Sequence, residues 1–226
     1  MSLRLGVLLS GSGTNLQSII DRIEDNTLNA KIECVVSNVS DAYGLQRAKD
    51  HAIDYAVVQS KDFTSREEHD QAVSDLLQEQ GVEAVILAGY MRLLSKGLIQ
   101  DFPGKILNIH PSLLPSFKGT QAQKQAADFG VKISGATVHF VDEYLDNGPV
   151  IIQGALPAFS AEKAEDLSSR ILQIEHRIYP QAIQWLATDR LRINNGYVQV
   201  SGKDCQEEKK IFQEQFLINP PLEEGF

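Results

Sequence analysis

The chain has 226 residues, with 30 acidic against 21 basic side chains and a formal net charge of −9. Such a balance lacks the broad basic face that a polynucleotide needs, and no run reaches the roughly 18 apolar residues of a membrane span. At 42% hydrophobic and 23% charged residues, the length suits one large domain that buries a core without staples. Cys34 and Cys205 lie far apart and outside any zinc-site spacing. Cys34, inside IECVVSN, reads as a small core residue. Few cysteines, and an N-terminal apolar run too short for a signal peptide, give the expectation of a cytoplasmic protein.

In the first half, short β-rich apolar runs alternate with amphipathic segments. Strands are expected over 3–9 (LRLGVLL), 31–38, 54–59, 83–89 and 105–110 (KILNIH), with helices over 14–26, 41–51, 65–80 and 95–101. Continuous rather than alternating apolar runs are the mark of strands covered on both faces, as in a parallel sheet. The second half differs. Strands over 133–142 and 148–157 are joined by the short stretch EYLDN, which permits an antiparallel hairpin and no parallel crossover. A long helix is expected over 161–187, where Leu167, Ile171, Ile174, Ile178 and Ile183 recur roughly three to four apart. A weak hairpin, LRINNGYVQV, and a charged tail close the chain. The fold class is α/β: a Rossmann-like, doubly wound, mixed sheet of about seven strands with an antiparallel hairpin in the C-terminal half. Residues 1–200 are expected to form a single catalytic domain, and 201–226 a tail of unassigned role.

Three stretches could carry chemistry. In LLSGSGTNLQSII (8–20) a strand meets a helix through a Gly-rich turn; Gly11 and Gly13 would let the backbone approach a ligand closely, and Thr14 and Asn15 would supply donors to a phosphate at the helix N-terminus. The third glycine of a dinucleotide fingerprint is replaced by Leu16, and the lysine of a P-loop is missing, so a small phosphorylated ligand fits better than NAD or ATP. The bland alternative is a tight turn capped by Thr14. In ILNIHPSLLP (106–115), Asn108 and His110 sit two apart and can project from one face at the carboxyl end of a strand, where open α/β sheets bind ligands. Asp146, in DEYLDNGPV, is a local turn residue unless folding brings it beside His110. His139 is a further candidate, more at home packed on a sheet face. Ser112 lacks the nucleophile-elbow pattern, and no spacing suggests a metal site. On residues alone this is an α/β enzyme with a phosphate turn and an Asn/His/Asp set that has no nucleophile.

Together the stretches SGSGTNLQ (10–17), SNVSDAYGLQRA (37–48), AGYMRLLS (88–95), LNIHPSLLPSFKG (107–119), GATVHFVDEYLDNGPVIIQ (135–153) and EHRIYP (175–180) resemble the phosphoribosylglycinamide formyltransferases, folate-dependent enzymes of purine synthesis. The motifs cover about residues 1–190 in the family's order. The resemblance implies the formyltransferase fold, with 10-formyltetrahydrofolate as co-substrate and no metal. It implies that Gly13, Thr14 and Asn15 hold the ribose phosphate and that Glu175 faces the glycinamide amine. Met91, Arg92, Leu93 and Leu94 would meet the pterin, with Asp142, Glu143, Tyr144, Leu145 and Asp146 opposite and Arg66 near the folate. Asn108, His110 and Asp146 would be catalytic: Asn108 and His110 would stabilise the oxyanion, and Asp146 would favour the imidazolium of His110. Leu172 departs from the polar residue common in the family three positions before the glutamate.

Two formyl-handling relatives and one non-catalytic reading remain as alternatives. A formyltetrahydrofolate deformylase would send water to the same centre, but carries a regulatory domain ahead of a sheet that here is expected to start at residue 3. A methionyl-tRNA formyltransferase would need an RNA-binding domain for which this chain has no room. An inactive sensor of folate or phosphorylated metabolites would not need the Asn/His/Asp set. Small-molecule substrates, no nucleic acid, no membrane, and a monomer or homodimer complete the expectation.

Overall fold

The structure is a computed structural model that describes residues 2–160, 162–202, 212–213 and 216–226. The chain forms two compact units, Met1–Asn108 with Val141–Glu143, and Ile109–Phe140 with Tyr144–Phe226.

In the first unit, β1 (Leu3–Leu9) pairs in parallel with β2 (Ala30–Ser37) on one side and with β4 (Ala84–Leu87) on the other. β3 (Tyr55–Val57) adds to β2, and Ile106–Asn108 of β5 (Ile106–His110) add to β4, all in parallel. Parallel neighbours need crossovers, supplied by α1 (Thr14–Glu24), α2 (Tyr43–Asp50), α3 (Arg66–Glu79) and α4 (Lys96–Asp101). Leu5, Val7, Leu8 and Leu9 of β1 are all fully buried, which requires cover on both faces of the strand. On one face Leu8, Val36, Val85, Leu87 and Ile106 pack with Val73 and Leu77 of α3 and with Leu98 and Phe102. Gly6 permits this approach, because a Cβ there would lie 2.5 Å from Leu77 Cδ2. The start of α3 is fixed by a reciprocal cap: Ser65 Oγ accepts the Glu68 N–H at 3.1 Å, and Glu68 Oε2 accepts the Thr64 N–H at 3.1 Å.

The second unit is antiparallel. β6 (Ile133–Phe140) pairs with β7 (Val150–Pro157), with a register shift between Val138 and His139. α5 (Ala122–Phe129) and the 24-residue α6 (Ala164–Ala187) pack together, and α6 also covers β6 and β7. The expected periodic face of α6 is its buried face: Leu167, Ile171, Ile174, Ile178 and Ile183 are at most 1% exposed. Pro180 lies inside this helix without ending it. A proline there forfeits one backbone hydrogen bond, about 3 kcal/mol, and burial of Ile178, Tyr179, Ala182 and Ile183 around it offsets the loss. β8 (Leu191–Asn194) and β9 (Tyr197–Val200) form the expected small hairpin.

The α/β class, the parallel first half and the antiparallel hairpin agree with the sequence reading; several boundaries do not. The strand expected over 54–59 is only Tyr55–Val57, a short edge strand with both end residues exposed. The one expected over 83–89 stops at Leu87, just before Gly89 takes φ +77°. β6 stops at Phe140 and β7 begins at Val150, so the connection is the loop 141–149 rather than five residues; Pro149, which has no N–H for a ladder, lies at its end. α6 begins at Ala164, and residue 161 lies outside the described residues, as does Cys205. The tail contributes β11 (Phe216–Asn219), antiparallel to β7 beyond β6, and β10 (Phe212–Gln213) on β11. These strands were not expected.

Candidate active site

β5 carries Asn108 and His110 two positions apart, and the strand ends at His110. His110 is nearly buried, its side chain 6% exposed. Its Nε2 donates to the Phe117 carbonyl at 2.8 Å, since a carbonyl oxygen can only accept. Its Nδ1 lies 3.4 Å from Asp146 Oδ2. Both ring nitrogens therefore face acceptors. Asp146 reaches this position from a turn in which its own φ is +45°, in the left-handed region that aspartate tolerates better than most residues. Its Oδ2 also accepts the Gly119 N–H at 2.7 Å, while its Oδ1 lies 3.9 Å from Nε2 of the buried His139. Folding thus brings Asp146 beside His110, which its sequence neighbourhood alone did not settle. His139 proves to be a second imidazole at the same carboxylate, with Nδ1 donating to the Phe140 carbonyl at 2.8 Å.

The loop after His110 is held by several hydrogen bonds. Thr137 Oγ1 donates to the Ser112 carbonyl at 2.7 Å and accepts the Leu114 N–H at 3.1 Å, and Gln153 Nε2 donates to the Leu114 carbonyl at 3.1 Å. Lys118 Nζ donates to Asn147 Oδ1 at 3.0 Å, tying 117–119 to the Asp146 turn. Ser112 is fully buried and donates to the Ser116 carbonyl at 2.6 Å, so its hydroxyl is structural and no nucleophile. Glu175 lies on α6 in this unit, 5% exposed, and Leu172 one turn earlier is half-buried. Tyr144 and Leu145 are exposed in the loop, at 71% and 50%.

In the first unit the Gly-rich turn runs from β1 into α1. Gly13 is the N-cap with φ +69°, and a Cβ there would lie 2.6 Å from Gly44 Cα, so only glycine fits without displacing the start of α2. Gly13 offers no side chain to cap α1, so the helix N-terminus meets the turn through backbone, with the positive end of its dipole there. Thr14 is half-buried and Asn15 buried. Arg47 of α2, which the sequence reading did not single out, places a cation at this turn. Its Nε donates to the Ser12 carbonyl at 2.9 Å and its Nη1 to Gln17 Oε1 at 3.1 Å, with its guanidinium 5.0 Å from the Tyr43 ring centroid. A lone arginine in a helical run gives no signal of that reach.

The segment 91–94 follows β4. Met91 and Leu93 are 66% and 43% exposed, whereas Leu94 is buried. Met91 N–H donates to Ser10 Oγ at 2.8 Å, and Ser10 Oγ donates to Asn38 Oδ1 at 2.6 Å. Arg92 sits by Tyr90, whose hydroxyl is pushed well above its ordinary value, by burial first and by the nearby Asp70 second, against the opposing charge of Arg92. Glu143 pairs with Lys96 at 3.1 Å, and Asp142 beside it is half-buried. Arg66, at the first turn of α3, is half-exposed and pairs with Glu67 at 3.0 Å. Among the described residues no group of three or more His, Cys, Asp or Glu is placed to hold a metal ion, and no helix is long and apolar enough to cross a membrane.

A mixed α/β fold whose strand end carries a histidine beside an aspartate presents groups of the kind that general acid–base chemistry uses. Comparison with known proteins makes this specific. The formyl transferase family matches residues 3–183. The phosphoribosylglycinamide formyltransferase of Haemophilus influenzae is 44% identical over 200 residues, 88% of this chain and 94% of that protein. The crystal structure of glycinamide ribonucleotide transformylase 1 from Symbiobacterium toebii superposes with a TM-score of 0.87 at 47% identity, covering 88% of this chain and 94% of that one. A formyltetrahydrofolate deformylase structure from Pseudomonas syringae pv. tomato also matches, with TM-score 0.83 and 28% identity, over 88% of this chain and 66% of that one. The chain belongs to the formyl transferase family, among its phosphoribosylglycinamide formyltransferases, and is an enzyme.

Proposed function

We propose that this enzyme transfers the formyl group of 10-formyltetrahydrofolate to the amine of phosphoribosylglycinamide, a step of de novo purine synthesis. The contact of Asp146 with His110 carries the reading, at 3.4 Å in a nearly dry setting, together with the extent of likeness to enzymes named for that reaction. The amine attacks the formyl carbon, a C–N bond forms, and the carbonyl oxygen becomes an oxyanion. Collapse breaks the bond to the folate N10, which must leave with a proton. The Asn108 amide donates to the oxyanion without changing charge, and His110 donates to it and then protonates the leaving nitrogen. The Nε2–H now engaged by the Phe117 carbonyl is the one that would turn to substrate. Asp146 favours the charged ring by attraction and takes, directly or through water, the proton that the amine loses.

Gly13, Thr14 and Asn15 bind the ribose phosphate at the N-terminus of α1, helped by its dipole, and Glu175 holds the amine end. Arg66, Met91–Leu94 and Asp142–Asp146 bind the folate. The co-substrate is 10-formyltetrahydrofolate, and the mechanism calls for no metal. We assign catalysis to a single domain over 1–200, in the cytoplasm, as a monomer or homodimer. An absorbance assay of folate deformylation tests the function: conversion that requires phosphoribosylglycinamide supports it. Conversion without the amine would mean a hydrolase, and no conversion despite ligand binding would mean a sensor.

A further inference from the structure

α3 carries two adjacent side chains, His69 and Asp70, with no exposed surface, and the chemistry above uses neither. An ionisable pair with no access to water needs internal partners for every polar atom. His69 Nε2 lies 2.9 Å from the Val58 carbonyl, which can only accept, so that nitrogen carries a proton. His69 Nδ1 lies 2.9 Å from Asp70 Oδ1, a separation that needs a hydrogen between the two atoms. Each ring nitrogen of His69 thus has an internal partner, and Asp70 Oδ1 is held against the ring. Phe63 packs edge-on against the ring at 5.4 Å between centroids. Tyr90 is a further titratable group close to Asp70, with Arg92 next to it.

This fixes one oxygen of Asp70 and leaves Oδ2, which accepts the Ser95 N–H at 2.5 Å. Ser95 is the N-cap of α4, the point at which the segment 91–94 ends. The other end of the segment is tied through the Met91 N–H to Ser10 Oγ, and through the Ser10 N–H to the Gly89 carbonyl at 3.0 Å. Four residues are thus strung between two hydrogen-bonded anchors, one at the Gly-rich turn and one inside the core against α3. A charged acceptor holds a backbone donor more tightly than a neutral one does, and backbone groups that read a ligand must be held to about 0.5 Å.

We propose that Asp70, braced by His69, is a positioning residue for the folate co-substrate. It sets the backbone of Met91–Leu94, against which the pterin binds. The inference rests on the reading of that segment as the folate side of the site, and the test separates the two. Asp70→Asn keeps the shape and removes the charge. It is expected to raise KM for 10-formyltetrahydrofolate about tenfold, as small displacements of binding groups do, with KM for phosphoribosylglycinamide unchanged. Leu93→Ala tests the segment itself and should also weaken folate alone. Folate weakened by Leu93→Ala but untouched by Asp70→Asn, or both substrates weakened equally by Asp70→Asn, would overturn the positioning role. No effect of Leu93→Ala would overturn the reading of the segment, and the inference with it. Should Asp70→Asn fail to fold, Ser95→Pro removes the same N–H from a residue whose φ of −73° proline accepts, with the same outcomes deciding.

Discussion

Asp146 meets His110 through the carboxylate oxygen that also accepts the Gly119 N–H: Oδ2 lies 3.4 Å from His110 Nδ1 and 2.7 Å from Gly119 N. The backbone donor fixes where the carboxylate points, and with Nε2–H on the Phe117 carbonyl the ring presents its Nδ1 edge to that carboxylate.

Asp146→Asn should lower kcat by roughly 10²–10⁴-fold, and His110→Asn likewise, the usual scale for general acid–base and oxyanion groups. Steady-state kinetics on variants shown folded by circular dichroism are the check. Near-normal turnover in either variant would remove that residue from the mechanism.

Gly13→Ala should act on the phosphate and on stability together. The new Cβ would lie 2.6 Å from Gly44 Cα at a φ of +69°, so the turn or α2 must move, at about 1–3 kcal/mol. KM for phosphoribosylglycinamide should rise at least tenfold, while the affinity for a folate analogue changes little. Calorimetric titration with each ligand measures both.

Cys34 should be chemically silent in the native protein. Burial pushes its thiol up to about 11, aided by Glu33 and Asp54, so the reactive thiolate is scarce at pH 8. Iodoacetamide followed by peptide mass spectrometry should find Cys34 unmodified before unfolding and fully modified after it.

Ile218→Ala should destabilise without touching chemistry. Ile218 is fully buried on β11, opposite Gly154 of β7, and losing such a side chain costs about 2–4 kcal/mol. Urea unfolding should show that loss while kcat holds within about twofold. The end of the tail is anchored as well, since Glu223 accepts Trp185 Nε1–H at 3.2 Å and also pairs with Arg190.

The parts of this molecule that periodicity governs were legible in its sequence. The continuous runs of β1, β2 and β4, and the repeat Leu167–Ile171–Ile174–Ile178 in α6, each imply a buried face, and each has one. Asn108 and His110 stood out because polar side chains are costly at the end of an apolar strand. What was not legible depends on contacts between distant stretches. The β11 strand is four residues of an otherwise charged tail and gains its meaning only by pairing with β7. Asp146 and His139 look like a turn residue and a strand residue until the fold sets the Asp146 carboxylate beside both imidazoles. Asp70 and Arg47 read as ordinary helix polar residues, because nothing local says that one is buried and the other bent over a Gly-rich turn.

The most direct test follows the formyl carbon itself. The protein is incubated with 10-formyltetrahydrofolate labelled with ¹³C in the formyl group, with and without phosphoribosylglycinamide, and the label is followed by NMR. The label is expected only in the formamide of the glycinamide product, with nothing released when the amine is absent. Labelled formate at the same rate in both samples would make water the acceptor and contradict it.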